Sequence, residues 1–405
     1  MSRGAQPSWA LGLGAACLVA LAAFGSLVST SGLIELIRRD LALTFGQGGF
    51  LLSVPFPLIA LFAVAGGGLV DRLGVSRMVT LGAALALAGG GARAWSGGFW
   101  ALAGGTALVG IGTGLIFPAL PKLASGTVPP GRRDLASALY TASVVSGAGL
   151  GVAVSHLLGF LARFIPLVPG EEGWRGGYFG WALALLAALL LWRALFRGAP
   201  GPAEGGAGGA GRLPAASSAF RRPAVWAVAL SLFVNNVLFY TSVGWLPAIL
   251  AGKGWAPAQA AAIVSLVPWL GVVAVLTAHW AAARVGGERV MVLLCALVSA
   301  GALAPMDAGS AWTAALGAAA LGFSTNFWFL YCLAYPARFA PGERAGQAGG
   351  LIIGLGYLGG FAGPWAAGLL RDWAGGFGPA LYALAGVALL GIFTVPFFRG
   401  REEPA

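Results

Sequence analysis

Polar side chains occur at wide intervals inside the apolar runs of this sequence, where an unpaired polar group is costly. They are amides and phenols, which form hydrogen bonds without a fixed charge: Tyr140, Asn235, Asn236, Tyr240, Asn326, Tyr331, Gln347 and Tyr357. Inside a membrane such groups either bind a small polar or anionic solute or join neighbouring helices. Both interpretations stay open for each residue, but the set as a whole favours binding.

Fixed charges inside the apolar runs are scarce. Glu35 lies near the end of the first run, and Arg38 and Arg39 follow within one helical turn, so an ion pair is the default interpretation. A cation/proton antiporter usually needs a titratable carboxylate in mid-membrane. Its absence from the pattern favours a small anion or a neutral molecule as substrate. For an anion, Arg38 is the best-placed positive charge at the outer vestibule.

The sequence shows none of the motifs that indicate catalysis. It contains no nucleotide-binding loop, no HExxH and no Ser/His/Asp arrangement, and its two histidines are His156 and His279. We therefore predict that the chain is not an enzyme and holds neither a metal ion nor a cofactor. Energy for transport must come from gradients, with a proton or another ion as the coupling partner.

The elements that position these side chains are membrane helices. The chain is 58% hydrophobic and 9% charged over 405 residues, whereas soluble domains carry about 25% charged residues. Twelve apolar runs are long enough to span a bilayer. They centre near Leu21, Leu58, Leu85, Val109, Ser146, Ala187, Phe233, Pro268, Cys295, Leu321, Tyr357 and Val387. The sequence thus predicts an all-α membrane protein.

An even number of spans places both termini on one side of the membrane. Most of the 24 Lys and Arg residues fall in the loops of that side, which predicts that it is cytoplasmic. The net charge of +11 therefore reflects membrane orientation and does not indicate nucleic acid. We predict a multi-pass protein of the cell inner membrane, embedded in lipid and working as a monomer.

The chain is predicted to consist of two related six-helix halves. Arg284, Gly286 and Arg289 repeat Arg72, Gly74 and Arg77 at a distance of 212 residues. Residues 198–221 are rich in Gly, Ala, Pro and Ser, a composition typical of a flexible linker. The predicted boundaries are 1–197 for the first half, 198–221 for the cytoplasmic linker and 222–405 for the second half. Duplicated halves are typical of transporters that rock about a central site.

The connection between the second and third helices resembles the loop motif of the major facilitator superfamily, which runs Gly-x-x-x-Asp-Arg-x-Gly and continues with basic residues. The matching residues are Gly67, Asp71, Arg72, Gly74 and, among the basic residues, Arg77. The resemblance implies twelve helices in two pseudo-symmetric halves. It also implies that Asp71 lies beside the start of helix 11, near residues 344–347, and latches one conformation. The alternative is a solvated turn charge.

Several short stretches resemble the cyanate permease branch of that superfamily and its anion-transporting relatives. They are Leu36–Leu41, Leu120–Lys122, Leu139–Thr141, Gly173–Gly176, Trp245–Pro247, Gly356–Leu358 and Gly363–Pro364. In the family arrangement, helices 1, 4, 7 and 10 line the central cavity and helices 2, 5, 8 and 11 flank it. The resemblance therefore implies that the mid-span amides and phenols face the substrate path.

The leading functional prediction is a secondary active transporter, a permease or symporter that takes up or exchanges a small anion by alternating access. The alternative is proton-coupled efflux of small drug-like compounds. That alternative is weakened because the Gly-Pro pair lies in helix 11, at Gly363 and Pro364, whereas drug antiporters carry it in helix 5. From a different class, a membrane receptor that transports nothing would ordinarily need a signalling domain.

Overall fold

A computed structural model describes residues 9–165, 168, 173–196, 222–303, 306, 310–339 and 343–398. The predicted linker at 198–221 lies outside these residues. The α-helices are α1 (Trp9–Asp40), α2 (Phe45–Ser53), α3 (Pro55–Leu73), α4 (Val75–Ala94), α5 (Phe99–Thr127), α6 (Arg133–Ala162), α7 (Trp174–Leu195), α8 (Pro223–Gly252), α9 (Pro257–Val264), α10 (Leu266–Val285), α11 (Glu288–Leu303), α12 (Ala311–Phe339), α13 (Glu343–Ala374) and α14 (Gly378–Leu390). Short 3₁₀ helices follow at Pro130–Arg132 and Gly391–Phe397.

The number of spans matches the prediction from the apolar runs. Within the described part of the chain, 11 helical segments are long and apolar enough to cross a membrane, and a twelfth span is the bent pair Leu276–Val285 and Glu288–Leu303. The two helices of that pair meet at 102°. The predicted all-α membrane fold with twelve spans is confirmed.

The chain divides into two compact units. The first comprises Met1–Leu36 and Leu58–Leu213, and the second comprises Ile37–Pro57 and Pro214–Ala405. The segment Ile37–Pro57, which contains α2, thus packs with helices that lie far along the chain. The predicted boundaries of the two halves stay a prediction.

The N-terminus of α2 shows why this segment belongs to the second unit. Asp372, near the end of α13, accepts hydrogen bonds from the backbone N–H groups of Phe45 (2.9 Å) and Gly46 (2.6 Å). Thr44 and Gln47 complete the helix start with a capping box. A carboxylate is favourable at a helix N-terminus, where backbone N–H groups lack partners within the helix. The segment is therefore tied to α13 by polar contacts of the main chain.

Each unit contains a close helix crossing that depends on glycine, and the two crossings are related by the repeat. A Cβ on Gly147 of α6 would lie 2.4 Å from the carbonyl oxygen of Leu21 in α1. A Cβ on Gly359 of α13 would lie 2.2 Å from that of Phe233 in α8. One turn later the same relation recurs for Gly151 against Gly25 and for Gly363 against Val237. All four positions repeat at 212 residues, so the duplication extends to backbone packing.

The motif between the second and third spans forms a tighter connection than a loop. Helix α3 runs to Leu73 and α4 begins at Val75, so a single residue, Gly74, joins them with φ 82°. Its repeat partner Gly286 joins α10 to the next turn with φ 96°. This backbone region favours glycine, which accounts for the repeated glycine at both connections.

The glycine crossings predict a matched pair of stability effects. Gly359→Ala and Gly147→Ala each place a methyl group against a backbone carbonyl that cannot rotate away, so each should cost about 1–3 kcal/mol. Gly386→Ala is the control, because a Cβ there meets nothing within 4 Å. The measurement is the apparent Tm of purified protein in detergent. Equal Tm values for all three variants would contradict the packing account.

Candidate functional site

The polar groups of the second unit concentrate in the middle of α8. Asn235 and Asn236 are 1% and 2% exposed, and Thr241 and Ser242 are also buried. Asn236 and Tyr240 are four residues apart on the helix, so they lie on the same face. This short stretch of an apolar helix thus carries several hydrogen-bonding groups away from solvent.

Most of these groups have no hydrogen-bond partner within the described residues. The unpartnered atoms are Asn235 Oδ1, Asn236 Nδ2, Thr241 Oγ1, Ser242 Oγ and, on the neighbouring α2, Ser53 Oγ. Leaving one such group unsatisfied costs about 1–3 kcal/mol. Several such groups on one stretch of α8 are best explained by a ligand or water that satisfies them during function.

Aromatic rings lie next to these groups. The centroids of the Phe56 and Tyr240 rings are 4.0 Å apart, and Phe56 is nearly parallel to the Tyr357 ring with centroids 6.4 Å apart. The Tyr240 and Tyr357 centroids are 6.2 Å apart, and their hydroxyl groups hydrogen-bond to each other. The three rings form an aromatic cluster contributed by α3, α8 and α13.

Glycine on α13 makes the aromatic cluster possible. A Cβ on Gly360 would lie 2.9 Å from both the Phe56 and the Tyr240 rings. Gly356 approaches Leu232 of α8 in the same way. The bare face of α13 thus lets Tyr357 reach Tyr240, and the crossing described above sets their separation.

Thr241 and Ser242 also line a small cavity. Its other walls come from Trp245, Phe377 and aliphatic side chains of α8, α11, α13 and α14. Trp245 is fixed there by a 2.8 Å hydrogen bond from its Nε1 to the carbonyl oxygen of Pro364. The Thr241 hydroxyl group also packs against α13, since a Cβ on Gly363 would clash with Thr241 Oγ1.

Two of the predicted binding residues have structural partners instead. Asn326 Nδ2 donates to the carbonyl oxygens of Val267 (3.0 Å) and Gly322 (2.6 Å). Tyr331 donates from its hydroxyl to the carbonyl oxygen of Ala278, at 2.7 Å. Both side chains join α12 to α10, which is the alternative that the sequence left open for them. Their assignment as substrate-binding residues stays a prediction, now with this competing role.

Arg38 also has local contacts. Its Nη1 donates to the carbonyl oxygen of Leu43 at 2.6 Å, and its guanidinium lies 3.5 Å from the centroid of the Phe45 ring. The Arg38 side chain thus stabilises the turn between α1 and α2. Its predicted role as a positive charge for an entering anion stays a prediction.

The remaining predicted binding residues lie elsewhere. Tyr140 is in the first unit, where its ring packs between two hydrophobic clusters that contain Leu120 and Leu13. The side chain of Gln347 lies outside the described residues. The structure therefore brings together Tyr240 and Tyr357 and adds Phe56 to them. Asn235 and Asn236 lie on the same stretch of α8 as Tyr240.

One buried charged residue was not among the predicted site residues. Arg93 is 0% exposed and belongs to the last turn of α4. The pattern that could have revealed it is the run of small residues before it, Gly89–Ala92, which allows neighbouring helices to approach. A Cβ on Gly89 would lie 2.5 Å from the carbonyl oxygen of Gly105 in α5.

In the first unit, Asp71, the acidic residue of the motif between the second and third spans, also has a partner. Asp71 forms an ion pair with Lys122, a residue near the end of α5. The side chains are 46% and 37% exposed respectively, and ion pairs in such positions contribute little to stability. The predicted contact of Asp71 with residues 344–347 lies outside the described side chains, so the latch stays a prediction.

A comparison with models of protein families shows to which family the chain belongs. The model of the Major Facilitator Superfamily matches residues 15–364. The chain belongs to this superfamily. It is therefore a membrane transporter, and the expectation drawn from the motif at Gly67–Arg77 is confirmed.

Curated relatives and solved structures agree with this assignment. The chain is 27% identical to the 2-nitroimidazole transporter of Escherichia coli K12 over 91% of each chain. It is 24% identical to the cyanate transport protein CynX of the same organism, over 92% of this chain and 93% of the relative. The crystal structure of a D-xylose-proton symporter has the same fold, with a TM-score of 0.74 at 16% identity over 96% of this chain and 97% of the symporter. The predicted resemblance to the cyanate permease branch is confirmed.

The contrast between partnered and unpartnered amides gives a stability prediction. Asn326→Leu removes two hydrogen bonds to backbone carbonyls and should lower the free energy of unfolding by about 1–2 kcal/mol. Asn236→Leu, a replacement of the same shape, removes an amide with an unpartnered nitrogen and should leave the apparent Tm unchanged or raise it. Thermal unfolding in detergent compares the two. A larger loss for Asn236→Leu would mean that its amide is structural.

Proposed function

We propose that this chain is a secondary active transporter that carries a small anion across the cytoplasmic membrane by alternating access, with both termini in the cytoplasm. The observation that supports this most is the composition of the unpartnered cluster on α8. An amide N–H group and several hydroxyl groups can donate hydrogen bonds there, and no carboxylate is among the members. Donors without a fixed negative charge suit an anion.

The aromatic cluster supports a flat, conjugated solute. Phe56, Tyr240 and Tyr357 offer ring faces and edges to a planar ligand. The relatives named for cyanate and 2-nitroimidazole carry solutes that are both small and conjugated. A small conjugated anion would stack on the rings while its charged group accepts hydrogen bonds from Asn236 and the hydroxyl groups. Binding would satisfy groups that are otherwise costly to bury.

The direct test is uptake of labelled cyanate and labelled benzoate into proteoliposomes that contain the purified full-length protein. We expect uptake above that of protein-free vesicles, and we expect it to respond to an imposed membrane potential or proton gradient. The response to each gradient identifies the coupling ion. Binding of both anions without flux would instead favour a receptor, and no effect of either anion would contradict the proposal.

A second candidate is proton-coupled efflux of small drug-like compounds. The relative named for 2-nitroimidazole and the aromatic cluster favour it, because both suit an uncharged aromatic solute. In inside-out vesicles an acidic interior should then drive accumulation of 2-nitroimidazole. Accumulation of 2-nitroimidazole without uptake of cyanate or benzoate would decide for this candidate.

Variants of the cluster test the binding site itself. Asn236→Leu and Thr241→Val each remove a hydrogen-bonding group with an unpartnered atom among the described residues, and hydrogen bonds to charged groups contribute about 1.5–3 kcal/mol. Each variant should therefore raise the KM for benzoate uptake by about tenfold or more. Tyr331→Phe is the control, since its hydroxyl group already donates to Ala278. A KM that changes equally in all three variants would place the binding site elsewhere.

Asp71 is proposed to act in conformational control, as the family motif implies. Its ion pair with Lys122 is half-exposed, so Asp71→Asn should change the apparent Tm little. The variant should nevertheless change the labelling rates of cysteine reporters placed on the two membrane faces, because a latch biases one conformation. Lys122→Gln is the matched control for the ion pair alone. If the labelling rates are unchanged in Asp71→Asn, Asp71 is a solvated charge without a role as a latch.

A further inference from the structure

The short helix α2 is docked on α13 by a carboxylate at one end. Asp372 of α13 accepts hydrogen bonds from the backbone N–H groups of Phe45 and Gly46, the residues with which α2 begins. A negative charge at this place is also favoured by the dipole of α2. The Asp372 side chain is exposed, so this tie lies at the outer edge of the contact between the two helices.

From Asp372 onwards, α2 lies against the main chain of α13. A Cβ on Gly368 would clash with the carbonyl oxygen of Phe45, and a Cβ on Gly49 would clash with that of Pro364. The contacts follow each other in opposite order along the two helices, which therefore run antiparallel. Because the two backbones touch, the docked position of α2 is closely defined.

The docked position of α2 determines where Phe56 lies. Val54, which follows α2, keeps right-handed helical geometry, and its N–H group donates to the carbonyl oxygen of Phe50 at 2.8 Å. Helix α3 begins directly afterwards, at Pro55. α2 and the first part of α3 thus form one membrane-spanning segment, residues 45–66. A displacement of α2 is therefore passed on to Phe56.

Phe56 is the one ring of the aromatic cluster that α8 and α13 do not supply. Its centroid lies 4.0 Å from that of Tyr240 and 6.4 Å from that of Tyr357. The two tyrosine rings are brought together by the glycine crossing of α13 with α8, which does not involve α2. Residues 37–57 belong to the same unit as these helices. Docking of α2 on α13 thus completes the aromatic cluster.

We propose that Asp372 is a positioning residue for the substrate, because by docking α2 on α13 it places the Phe56 ring in the aromatic cluster. This inference rests on the proposed binding of a small conjugated anion there. A solute that contacts Phe56 binds the docked form more tightly, so binding and docking stabilise each other. Tyr357 lies about four helical turns before Asp372, so Asp372 acts through Phe56 and not by contact with the solute.

The competing explanation is that Asp372 only caps α2 and stabilises the fold. A double-mutant cycle separates the two roles. If Asp372 acts through Phe56, its removal has no further effect on affinity once the Phe56 ring is absent. If Asp372 is only structural, its removal either leaves the affinity unchanged or adds its own effect to that of Phe56→Leu.

The experiment measures the Kd of benzoate by isothermal titration calorimetry with the purified full-length protein and five variants. Asp372→Ala removes the tie to α13. Thr44→Ala is the matched control, because Thr44 caps the same end of α2 through the N–H group of Gln47. Gly368→Ala separates α2 from α13 without a change of charge, and it serves if Asp372→Ala does not fold. Phe56→Leu, alone and together with Asp372→Ala, completes the cycle. Size-exclusion profiles and apparent Tm values report folding.

We expect the Kd to rise by about tenfold in Asp372→Ala, Gly368→Ala and Phe56→Leu, and to stay within about threefold of the wild type in Thr44→Ala. The double variant should bind no more weakly than Phe56→Leu.

Three results would overturn the inference and leave anion transport intact. They are an unchanged Kd in Asp372→Ala and Gly368→Ala, an equal effect of Thr44→Ala, and additive effects in the double variant. Failure of the wild type to bind benzoate would also overturn it. Only if the wild type in addition fails to take up cyanate is the proposed function overturned as well.

Discussion

The contact of bare backbone between α13 and α8 is the interaction on which the second unit depends. Inside a bilayer, lipid chains are as apolar as leucine, so helices associate through close packing and hydrogen bonds. Gly359 and Gly363 bring α13 against the main chain of α8, and Gly147 and Gly151 bring α6 against α1 in the same way. Both units thus use the same glycine-mediated helix packing, at positions that are 212 residues apart in the sequence.

This packing also determines where polar chemistry is possible. With α13 close to α8, Tyr357 reaches Tyr240, and Gly360 leaves room for the Phe56 ring beside Tyr240. On the same stretch of α8, Asn235, Asn236, Thr241 and Ser242 each carry a polar atom without a hydrogen-bond partner among the described residues. In the first unit the polar content is different, because Arg93 there contacts Ser26 and the Tyr178 ring.

Sequence analysis predicted the fold well, because hydropathy and repeat spacing are direct consequences of membrane physics. Twelve apolar runs became twelve spans, and the glycine shared by the two repeats became a residue with positive φ in both, at Gly74 and Gly286. Polar residues were harder to assign. Asn236 and Asn326 have the same side chain in similar runs, yet one has an unpartnered nitrogen and the other binds two carbonyl oxygens. Which neighbour a side chain meets depends on helix rotation, and the pattern of apolar residues does not specify it.

Arg93 illustrates the same limit for charge. It lies at the edge of an apolar run, where a loop charge is expected, but it belongs to the last turn of α4 and neighbouring helices bury it completely. Ser53, Thr241 and Ser242 escaped prediction because hydroxyl groups in membrane helices commonly bond to their own backbone, as Thr106 and Thr113 do here. The structure distinguishes the two behaviours, and that distinction carries the functional proposal.

The central claim is that a small conjugated anion binds beside Asn236, Tyr240 and Tyr357. Its most direct test is a crystal structure of the protein with 4-bromobenzoate, in which anomalous scattering locates the bromine atom. The account predicts a bromine peak in contact with the rings of the aromatic cluster and the carboxylate within hydrogen-bonding distance of Asn236 Nδ2. A peak at another place in the protein, with the cluster unchanged and empty, would contradict it.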